Sequence, residues 1–344
     1  MTLISNLRIG PKIGNGHFGE VHLGSDDVHG PVAVKIFTKD TGETDGDWSA
    51  RKNGLLAEGQ RLSRAEHPNV VKVHALLESA TSDAVHLVMD YCPGGCLQKK
   101  FELGPMTLAE VRRYATQVAM GLAALHARNL LHRDIKPANI LLNRHGAAQL
   151  GDFGLVTDNI VLGYASQAGY SDHLAPEVIN GGGTSVKTDV WALGMTLYRL
   201  IHGQEWYSRL PQPRHVVGRG GFARHLPWLP HVPKSWRTFI RTMLHDDTSS
   251  RYQSANEISG ALAKLQTTPR WECSVSPHRV HWKCEQRKRR FFVTWDQTTS
   301  TLYDWKAWSE PIGSGNKRSL GGSTGVTYDA AERELTAMFA RITG

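Results

Sequence analysis

Short apolar runs separated by polar turns make up the first ninety residues. The pattern over residues 7–37 predicts β-hairpins, and the apolar runs 70–73 and 85–89 predict two further strands. Leucines at helical spacing predict a helix over residues 55–62, whereas the polar, glycine-containing stretch 38–47 is expected to form a loop. This part of the chain is therefore expected to be rich in β-structure.

Helical periods dominate the next part of the chain. Apolar residues on one face predict a long helix over residues 107–128. A strongly apolar helix is expected from Lys187 to about Ile201, and residues 255–265 are expected to form the last helix of this part. The separation of strands from helices is typical of an α+β fold.

The last eighty residues change pattern again after residue 266. Alternating runs predict strands over residues 279–284, 290–295 and 302–305, and the Gly/Ser-rich stretch 313–325 is expected to form a loop. A capping box from Asp329 to Glu332 predicts the start of a final helix. Its apolar residues fall on one face: Ala331, Leu335, Met338, Phe339 and Ile342. We therefore expect a small β-sheet closed by a helix.

Composition narrows the class of protein. No apolar run approaches the length that crosses a bilayer, and residues 1–12 lack a secretory apolar region, so we expect a cytoplasmic protein without a membrane segment. Four cysteines in 344 residues do not suggest a disulfide framework. The net charge is +8, which permits an acidic or nucleic-acid partner without identifying one.

The stretch His132-Arg133-Asp134-Ile135-Lys136-Pro137-Ala138-Asn139 holds polar groups suited to phosphoryl transfer. Asp134 could accept the proton of a substrate hydroxyl, and Lys136 could neutralise the migrating phosphate. Asn139 could bind magnesium. An Asp152-Phe153-Gly154 triplet follows the loop thirteen residues after Asn139.

A glycine-rich stretch precedes these motifs. Residues 14–19 match a G-x-G-x-x-G pattern, which by itself also suits a Rossmann dinucleotide site. Here more strand follows instead of a helix, and Lys35 lies in a Val-Ala-Val-Lys strand. The spacing favours a loop that covers nucleotide phosphates, with Lys35 binding them.

These motifs, together with Ala175-Pro176-Glu177, resemble those of the eukaryotic-type (Hanks-type) serine/threonine protein kinases over about residues 7–265. The resemblance implies a two-lobed α+β kinase domain over 1–266, with a β-rich small lobe at about 1–89 and a helical large lobe at about 94–266. Residues 267–344 would then form a small α+β accessory domain. It implies transfer of the γ-phosphate of Mg-ATP to protein Ser or Thr hydroxyls, and autophosphorylation.

The family also implies the remaining site residues. Lys35 would pair with Glu58, with Glu66 as the second choice. Asn139 and Asp152 would hold Mg²⁺. ATP would contact residues of the glycine-rich loop, the following strands, the hinge between lobes and the floor of the cleft: Ile13, Gly14, Gly16, Gly19, Val21, Ala33, Lys35, Met89, Asp90, Cys92 and Leu141.

Three structural residues follow by the same resemblance. Arg251 is expected to pair with Glu177, and Asp189 to accept hydrogen bonds from the backbone of the catalytic loop. The activation segment, residues 155–174, holds Ser166 as the candidate phosphorylation site. Thr157 and Ser171 are the other candidates there.

Two residues of that segment depart from the family pattern. Tyr170 stands where such kinases carry threonine, and His173 replaces an aromatic residue. Tyr170 keeps open a pseudokinase-like ATP-binding scaffold, whose tail would recruit protein or nucleic acid. A small-molecule kinase is a third alternative, which the intact Ala175-Pro176-Glu177 motif disfavours.

Three hypotheses concern the tail, residues 266–344, which has 12 Lys and Arg against 8 Asp and Glu. A zinc site could use Cys273, His278, His281 and Cys284. The basic and aromatic residues from Arg279 to Trp295 could bind nucleic acid. Docking of a protein partner, or autoregulation, is the favoured interpretation.

Overall fold

The computed structural model describes residues 6–16, 19–63, 65–79, 82–152 and 172–343. The first part is an antiparallel sheet of five strands in the order β1-β2-β3-β5-β4, with one helix, α1, beside it. The bounds are Leu7–Gly16 for β1, Gly19–Asp26 for β2, Gly30–Thr38 for β3, Asp45–Leu62 for α1, Val73–Glu78 for β4 and Ala84–Asp90 for β5.

The register of this sheet places the cleft residues side by side. Val21 on β2 pairs with Lys35 on β3, and Ala33 on β3 pairs with Met89 on β5. The β-branched residues at 32 and 34 are fully buried, as expected for a central strand. The predicted β-rich small lobe is thereby confirmed.

Two predicted boundaries in this lobe are wrong. The strand expected at 70–73 begins only at Val73, because the backbone amide of Val71 donates to the carbonyl oxygen of Leu150 (2.8 Å) in the large lobe. Helix α1 begins at Asp45, inside the stretch expected to be a loop. Arg51 on this helix binds Glu43 through two hydrogen bonds of 2.8 and 2.7 Å and so fixes the preceding turn.

The large lobe is mainly helical. Its elements are α2 Leu97–Leu103, α3 Leu108–His126, β6 Ile140–Leu142, β7 Ala148–Leu150, α4 Pro176–Ile179, α5 Val186–Tyr207, α6 Pro213–Val216, α7 Lys234–Met243 and α8 Ala255–Ala263. Its two long helices are α3 and α5. None of the helices within the described ranges is long and apolar enough to cross a membrane.

Helices α3 and α5 form the centre of this lobe. Thr107 caps α3 with a capping box to Glu110, and the apolar stripe predicted from the sequence is buried. Helix α5 is buried around most of its circumference, as expected for a helix that is apolar on all sides. It carries Asp189 in its first turn and supports the catalytic loop from below through a hydrogen bond from Thr196 Oγ1 to the Ile135 carbonyl (3.1 Å).

The tail forms a second antiparallel sheet of five strands, in the order β12-β11-β10-β9-β8, followed by α9. The bounds are β8 Glu272–Ser276, β9 Arg279–Gln286, β10 Arg289–Gln297, β11 Leu302–Pro311, β12 Arg318–Thr327 and α9 Tyr328–Thr343. The three predicted strands and the helix are confirmed, and β8 was not predicted.

Two predictions about the tail are wrong. The loop expected at 313–325 contains most of β12, whose glycines allow close approach to a tryptophan. A Cβ atom on Gly321 would lie 3.1 Å from the ring of Trp305, and one on Gly322 would lie 2.9 Å from its carbonyl oxygen. Helix α9 begins at Tyr328, before the capping box expected from Asp329.

The tail packs directly on the large lobe. The indole nitrogen of Trp282 donates a hydrogen bond of 2.9 Å to Nδ1 of His231, and the rings of Trp206 and Trp295 lie 6.3 Å apart. The buried apolar residues of the tail belong to the same continuous core as those of the large lobe. The tail is therefore fixed to the large lobe through buried contacts.

Candidate active site

The catalytic loop is held by a buried carboxylate beneath it. Asp189 accepts hydrogen bonds from the backbone amides of His132 (2.9 Å) and Arg133 (2.8 Å), and from Nε2 of His126 (2.8 Å). Burial alone would raise the pKa of Asp189, but the hydrogen bond from His126 and the loop amides keep it below its usual value. The contacts expected for Asp189 are present, and they hold Arg133 in a left-handed conformation (φ 68°).

Asp134 is enclosed by three polar side chains. Its Oδ1 lies 2.9 Å from Nε2 of His173, and its Oδ2 lies 2.8 Å from Nζ of Lys136. Asn139 donates from Nδ2 to the same Oδ2 (2.8 Å) and to the Asp134 carbonyl oxygen (2.8 Å). The structure therefore brings Asp134, Lys136 and Asn139 together, as the sequence motif predicted, and adds His173.

The charge of this carboxylate follows from its neighbours. Burial by itself would raise the pKa of Asp134, but His173 and Lys136 outweigh burial and hold the pKa far below its usual range. Asp134 is therefore an anion near neutral pH, which is the form that accepts a proton or a hydrogen bond.

The contact with His173 was missed from the sequence. Its position was noted only because the family usually has an aromatic residue there. His173 is 4% exposed and lies 39 residues along the chain from Asp134, so no local pattern brings them together.

Lys35 and Asp152 form the other half of the site. The Lys35 side chain is 1% exposed and forms an ion pair with Oδ1 of Asp152. The amide of Gly151 donates to the Asn139 carbonyl oxygen (2.9 Å), which sets Asp152 beside the catalytic loop. Asp152 itself has a left-handed backbone (φ 56°), a strained conformation at the place where chemistry is expected.

The expected partner of Lys35 on helix α1 is Glu58. Its backbone lies in α1, and its side chain lies outside the described part of the structure. The second choice, Glu66, is exposed and binds Lys72 instead, at 2.7 Å. The Lys35–Glu58 pair thus stays a prediction.

The donor atoms at the expected metal site suit magnesium. Mg²⁺ prefers oxygen ligands and is commonly held by one or two carboxylates together with substrate phosphates. Asp152 offers a carboxylate. Asn139 uses its Nδ2 for Asp134, which leaves its amide oxygen as the atom that suits a metal ion. The pair therefore fits Mg²⁺ in chemical type.

The residues expected to contact ATP lie on five strands and just after one of them. They lie on β1 (Ile13, Gly14, Gly16), β2 (Gly19, Val21), β3 (Ala33, Lys35), β5 (Met89, Asp90), β6 (Leu141) and just after β5 (Cys92). A Cβ atom on Gly19 would lie 2.2 Å from the Ile36 carbonyl oxygen, so only glycine fits there. Residues 17 and 18, at the tip of the loop, lie outside the described residues.

Cys92 lies just after β5, in the segment expected to form the hinge between the lobes. It is buried, and its thiol donates to Oε1 of Gln149 at 3.4 Å. Burial, and then the nearby Asp90 carboxylate, raise the pKa of the Cys92 thiol to about 11, so the thiol is neutral near neutral pH.

The predicted structural pair, Arg251 with Glu177, is present. Arg251 donates from Nη1 to Oε1 of Glu177 (2.7 Å) and from Nη2 to Oε2 (2.8 Å), and its side chain is fully buried. Two parallel hydrogen bonds of this kind are the strong form of a salt bridge. The candidate phosphorylation sites Thr157, Ser166 and Ser171, together with Tyr170, lie outside the described residues.

The tail does not contain the zinc site considered above. Cys284 is on the buried face of its strand, and His281 is on the opposite face, as expected from strand alternation. Within the described ranges, no group of three or more His, Cys, Asp or Glu residues could hold a metal ion.

Comparison with known proteins agrees with this geometry. The family model described as a protein kinase domain matches residues 7–261. Hormonally up-regulated neu tumor-associated kinase homolog A of Xenopus laevis is 31% identical over 288 residues, which cover 81% of this chain and 40% of the relative. Mitogen-activated protein kinase kinase kinase YODA of Arabidopsis thaliana is 31% identical over 265 residues, or 76% of this chain and 29% of the relative.

A shorter relative is covered over most of its length. Aurora/IPL1-related protein kinase 2 of Caenorhabditis elegans is 30% identical over 250 residues, which cover 72% of this chain and 79% of the relative. The chain spans less than half the length of the other two relatives. The family match covers most of the chain and includes every residue of the site described above, and the chain therefore belongs to the protein kinase family, in the eukaryotic-type serine/threonine group that its motifs resemble.

Proposed function

We propose that this protein transfers the γ-phosphate of Mg-ATP to serine or threonine hydroxyls of a protein substrate, and that it also phosphorylates itself. The observation that carries the proposal is the arrangement of side chains around Asp134. Its carboxylate lies within hydrogen-bonding distance of Lys136 and Asn139, beside an ion pair of Lys35 with Asp152. A proton acceptor, a cation and metal-binding oxygens are thus available in one cleft.

The proposed reaction is a single displacement. The substrate hydroxyl oxygen forms a bond to the γ-phosphorus, the bond from that phosphorus to the bridging oxygen of ADP breaks, and Asp134 accepts the hydroxyl proton. Lys136 stabilises the negative charge on the transferred group, and Lys35 binds phosphates of the nucleotide. Mg²⁺ bound by Asp152 and Asn139 would neutralise phosphate charge.

The assignment to serine and threonine rests on Lys136. A lysine two residues after the catalytic aspartate is the form that serine/threonine kinases carry. Here its Nζ lies 2.8 Å from Asp134 Oδ2, where it can bind a phosphate on its way to the hydroxyl.

We assign residues 1–266 to the kinase domain and 267–344 to an accessory domain for regulation or for docking a protein partner. The sharp change of pattern after residue 266 and the separate tail sheet support this division.

The test is transfer of labelled γ-phosphate from ATP to casein and to myelin basic protein by the full-length protein. Asp134→Asn, which removes the proton acceptor and keeps the shape, is measured beside it, followed by mapping of the modified residues. We expect phosphate on Ser or Thr and a loss of at least about a hundredfold in the variant, within the range for general-base catalysis. Magnesium-dependent ATP binding without any transfer would instead identify an ATP-binding scaffold.

A further inference from the structure

The last turn of α5 is set at an angle to the rest of the helix. Gly203 interrupts the helix with non-helical dihedrals (φ 71°, ψ 167°). A Cβ atom at this position would lie 2.5 Å from backbone atoms of Gly104 and Pro105, so the close approach of this loop also requires glycine. The residues after the kink, 204–207, are therefore held in a fixed orientation of their own.

One side of this turn contacts the tail. Trp206 is 3% exposed, and its ring lies 6.3 Å from that of Trp295. Just after the helix, Arg209 donates from Nη2 to the carbonyl oxygens of Ser276 (2.8 Å) and Pro277 (3.4 Å), at the turn between β8 and β9. The tail thus contacts the end of α5 through packing of the Trp206 and Trp295 rings and through charge-assisted hydrogen bonds from Arg209.

The other side of the turn contacts the end of the activation segment. The Tyr207 hydroxyl donates a hydrogen bond of 3.0 Å to Oδ2 of Asp172. Its ring packs edge-on against Phe101 (5.9 Å between centroids), and the Arg199 guanidinium lies 5.3 Å from its centre. Burial raises the pKa of Tyr207 far above its usual value, so the phenol stays a donor.

Asp172 is bonded to the residue that contacts the catalytic carboxylate. His173, its neighbour in sequence, lies with Nε2 at 2.9 Å from Asp134 Oδ1 and is 4% exposed. A shift of Asp172 by a few tenths of an ångström therefore moves the His173 backbone, and with it a direct contact of Asp134. A misplacement of a catalytic group by about 1 Å can lower the rate about a hundredfold.

We propose that Tyr207 is a positioning residue for the phosphoryl-transfer reaction: by binding Asp172 it holds His173 against Asp134, and the tail supports it through Trp206 and Arg209. This inference rests on the proposed function. It makes the tail a part of the catalytic apparatus, in addition to any docking role.

A matched control lies on the same helix. Tyr198 is buried, and its hydroxyl, like that of Tyr207, donates a hydrogen bond. The acceptor is the Pro227 carbonyl oxygen, at 2.5 Å. Tyr198 contacts none of the residues of the catalytic loop or of Asp172–His173 among the interactions described for it. The rings of Tyr198 and Tyr207 lie 6.4 Å apart, and Tyr198→Phe keeps this ring contact while removing a hydroxyl that bonds to Pro227 instead of Asp172.

The first experiment compares Tyr207→Phe with Tyr198→Phe in the full-length protein, with casein as acceptor. We expect Tyr207→Phe to lower kcat about threefold to tenfold, with the KM for ATP within about twofold of the wild type, because no residue of the nucleotide cleft is changed. Tyr198→Phe should lower the melting temperature at least as much as Tyr207→Phe and leave kcat unchanged. Equal values of kcat in the two variants would overturn the inference.

The second experiment tests the bond itself. Asp172→Asn keeps an oxygen that accepts from Tyr207 and should retain kcat within about twofold, whereas Asp172→Ala should lose activity as Tyr207→Phe does. The double variant Tyr207→Phe/Asp172→Ala should be no slower than either single one, since both remove the same bond. Independent, multiplying losses would contradict the proposed connection.

The third experiment tests the tail. Arg209→Ala removes two hydrogen bonds to the tail and should lower kcat in the same direction, without a further loss when combined with Tyr207→Phe. A normal kcat for Arg209→Ala would overturn the role of the tail. If the wild-type protein transfers no phosphate, both the proposed function and this inference are wrong. If the wild type is active and Tyr207→Phe has the same kcat, only the inference is wrong.

Discussion

Lowering the pH should lower the free energy of unfolding at pH values above those at which carboxylates titrate. The reason is that two buried histidines are held in their neutral form. Trp282 can only donate, so Nδ1 of His231 must be the unprotonated nitrogen of that ring. In His202, Nδ1 bonds to the Tyr198 carbonyl oxygen (2.8 Å), and the amide of Leu229 donates to Nε2 (3.3 Å). Protonation of either ring would place a proton against a donor.

The size of the effect follows from the shifted pKa values. Burial, the largest cause, lowers the pKa of both His202 and His231 to about 3, against an unfolded value of about 6.5. Below about pH 6.5 the unfolded chain binds a proton at each histidine that the folded chain does not. The stability is thus present above the unfolded pKa and is lost as pH falls from about 6.5 towards 3. Between about pH 7.5 and 5.0 each histidine lowers the free energy of unfolding by about 2 kcal/mol, and both together by about 4 kcal/mol.

The assay is urea unfolding of the full-length protein at about pH 7.5 and 5.0. His231→Gln supplies an amide oxygen that can accept from Trp282 and cannot titrate. The variant should lose about 2 kcal/mol less than the wild type over this interval, even where it is less stable at about pH 7.5. His225→Gln, at an exposed position of the same lobe, is the control and should follow the wild type.

The comparison with His231→Gln isolates one site from the other groups that titrate over the same interval. If the wild type and His231→Gln lose stability in parallel, His231 does not resist protonation in the folded state. The hydrogen bond from Trp282, and with it the described contact between the tail and the large lobe, would then be refuted.

Three other changes have definite expected outcomes. Arg251→Ala leaves Glu177 without its partner and should lower the free energy of unfolding by about 3–5 kcal/mol in urea titrations; a loss below about 1 kcal/mol would contradict the buried pair. Gly203→Ala should cost roughly 2 kcal/mol or more by the same measurement, because its φ is 71° and the new Cβ would clash with Gly104; an unchanged midpoint would show that the kink is not fixed. Ser166→Ala should lower kinase activity, because a phosphate there could pair with Arg133; unchanged activity relative to a phosphate-free wild-type preparation would exclude this role.

The sequence located most residues of the candidate site because each motif is contiguous. Asp134, Lys136 and Asn139 lie within six residues of one another, so their joint appearance needs no knowledge of the fold. The long helices were predicted for a similar reason, since burial of one helix face imposes a period that is visible along the chain. Predicted strand ends were wrong where the backbone forms a hydrogen bond with a distant segment, as Val71 does with Leu150.

The fold decided which of these groups touch. Lys35 reaches Asp152 across 117 positions, and His173 reaches Asp134 from a different segment. Neither contact has a local period, because it depends on how the two lobes and the activation segment pack. The tail was the hardest part, since the glycines of β12 suggest a loop until Trp305 is seen to pack against them.

The sequence by itself therefore determined the family, the candidate site motifs and the long helices, because short motifs and hydrophobic periods are local properties of a chain. Only the tertiary structure decided that the tail joins the core of the large lobe and that Tyr207 stands between it and Asp172. Packing between distant segments depends on the shape of both surfaces at once, and no single stretch of sequence contains that information.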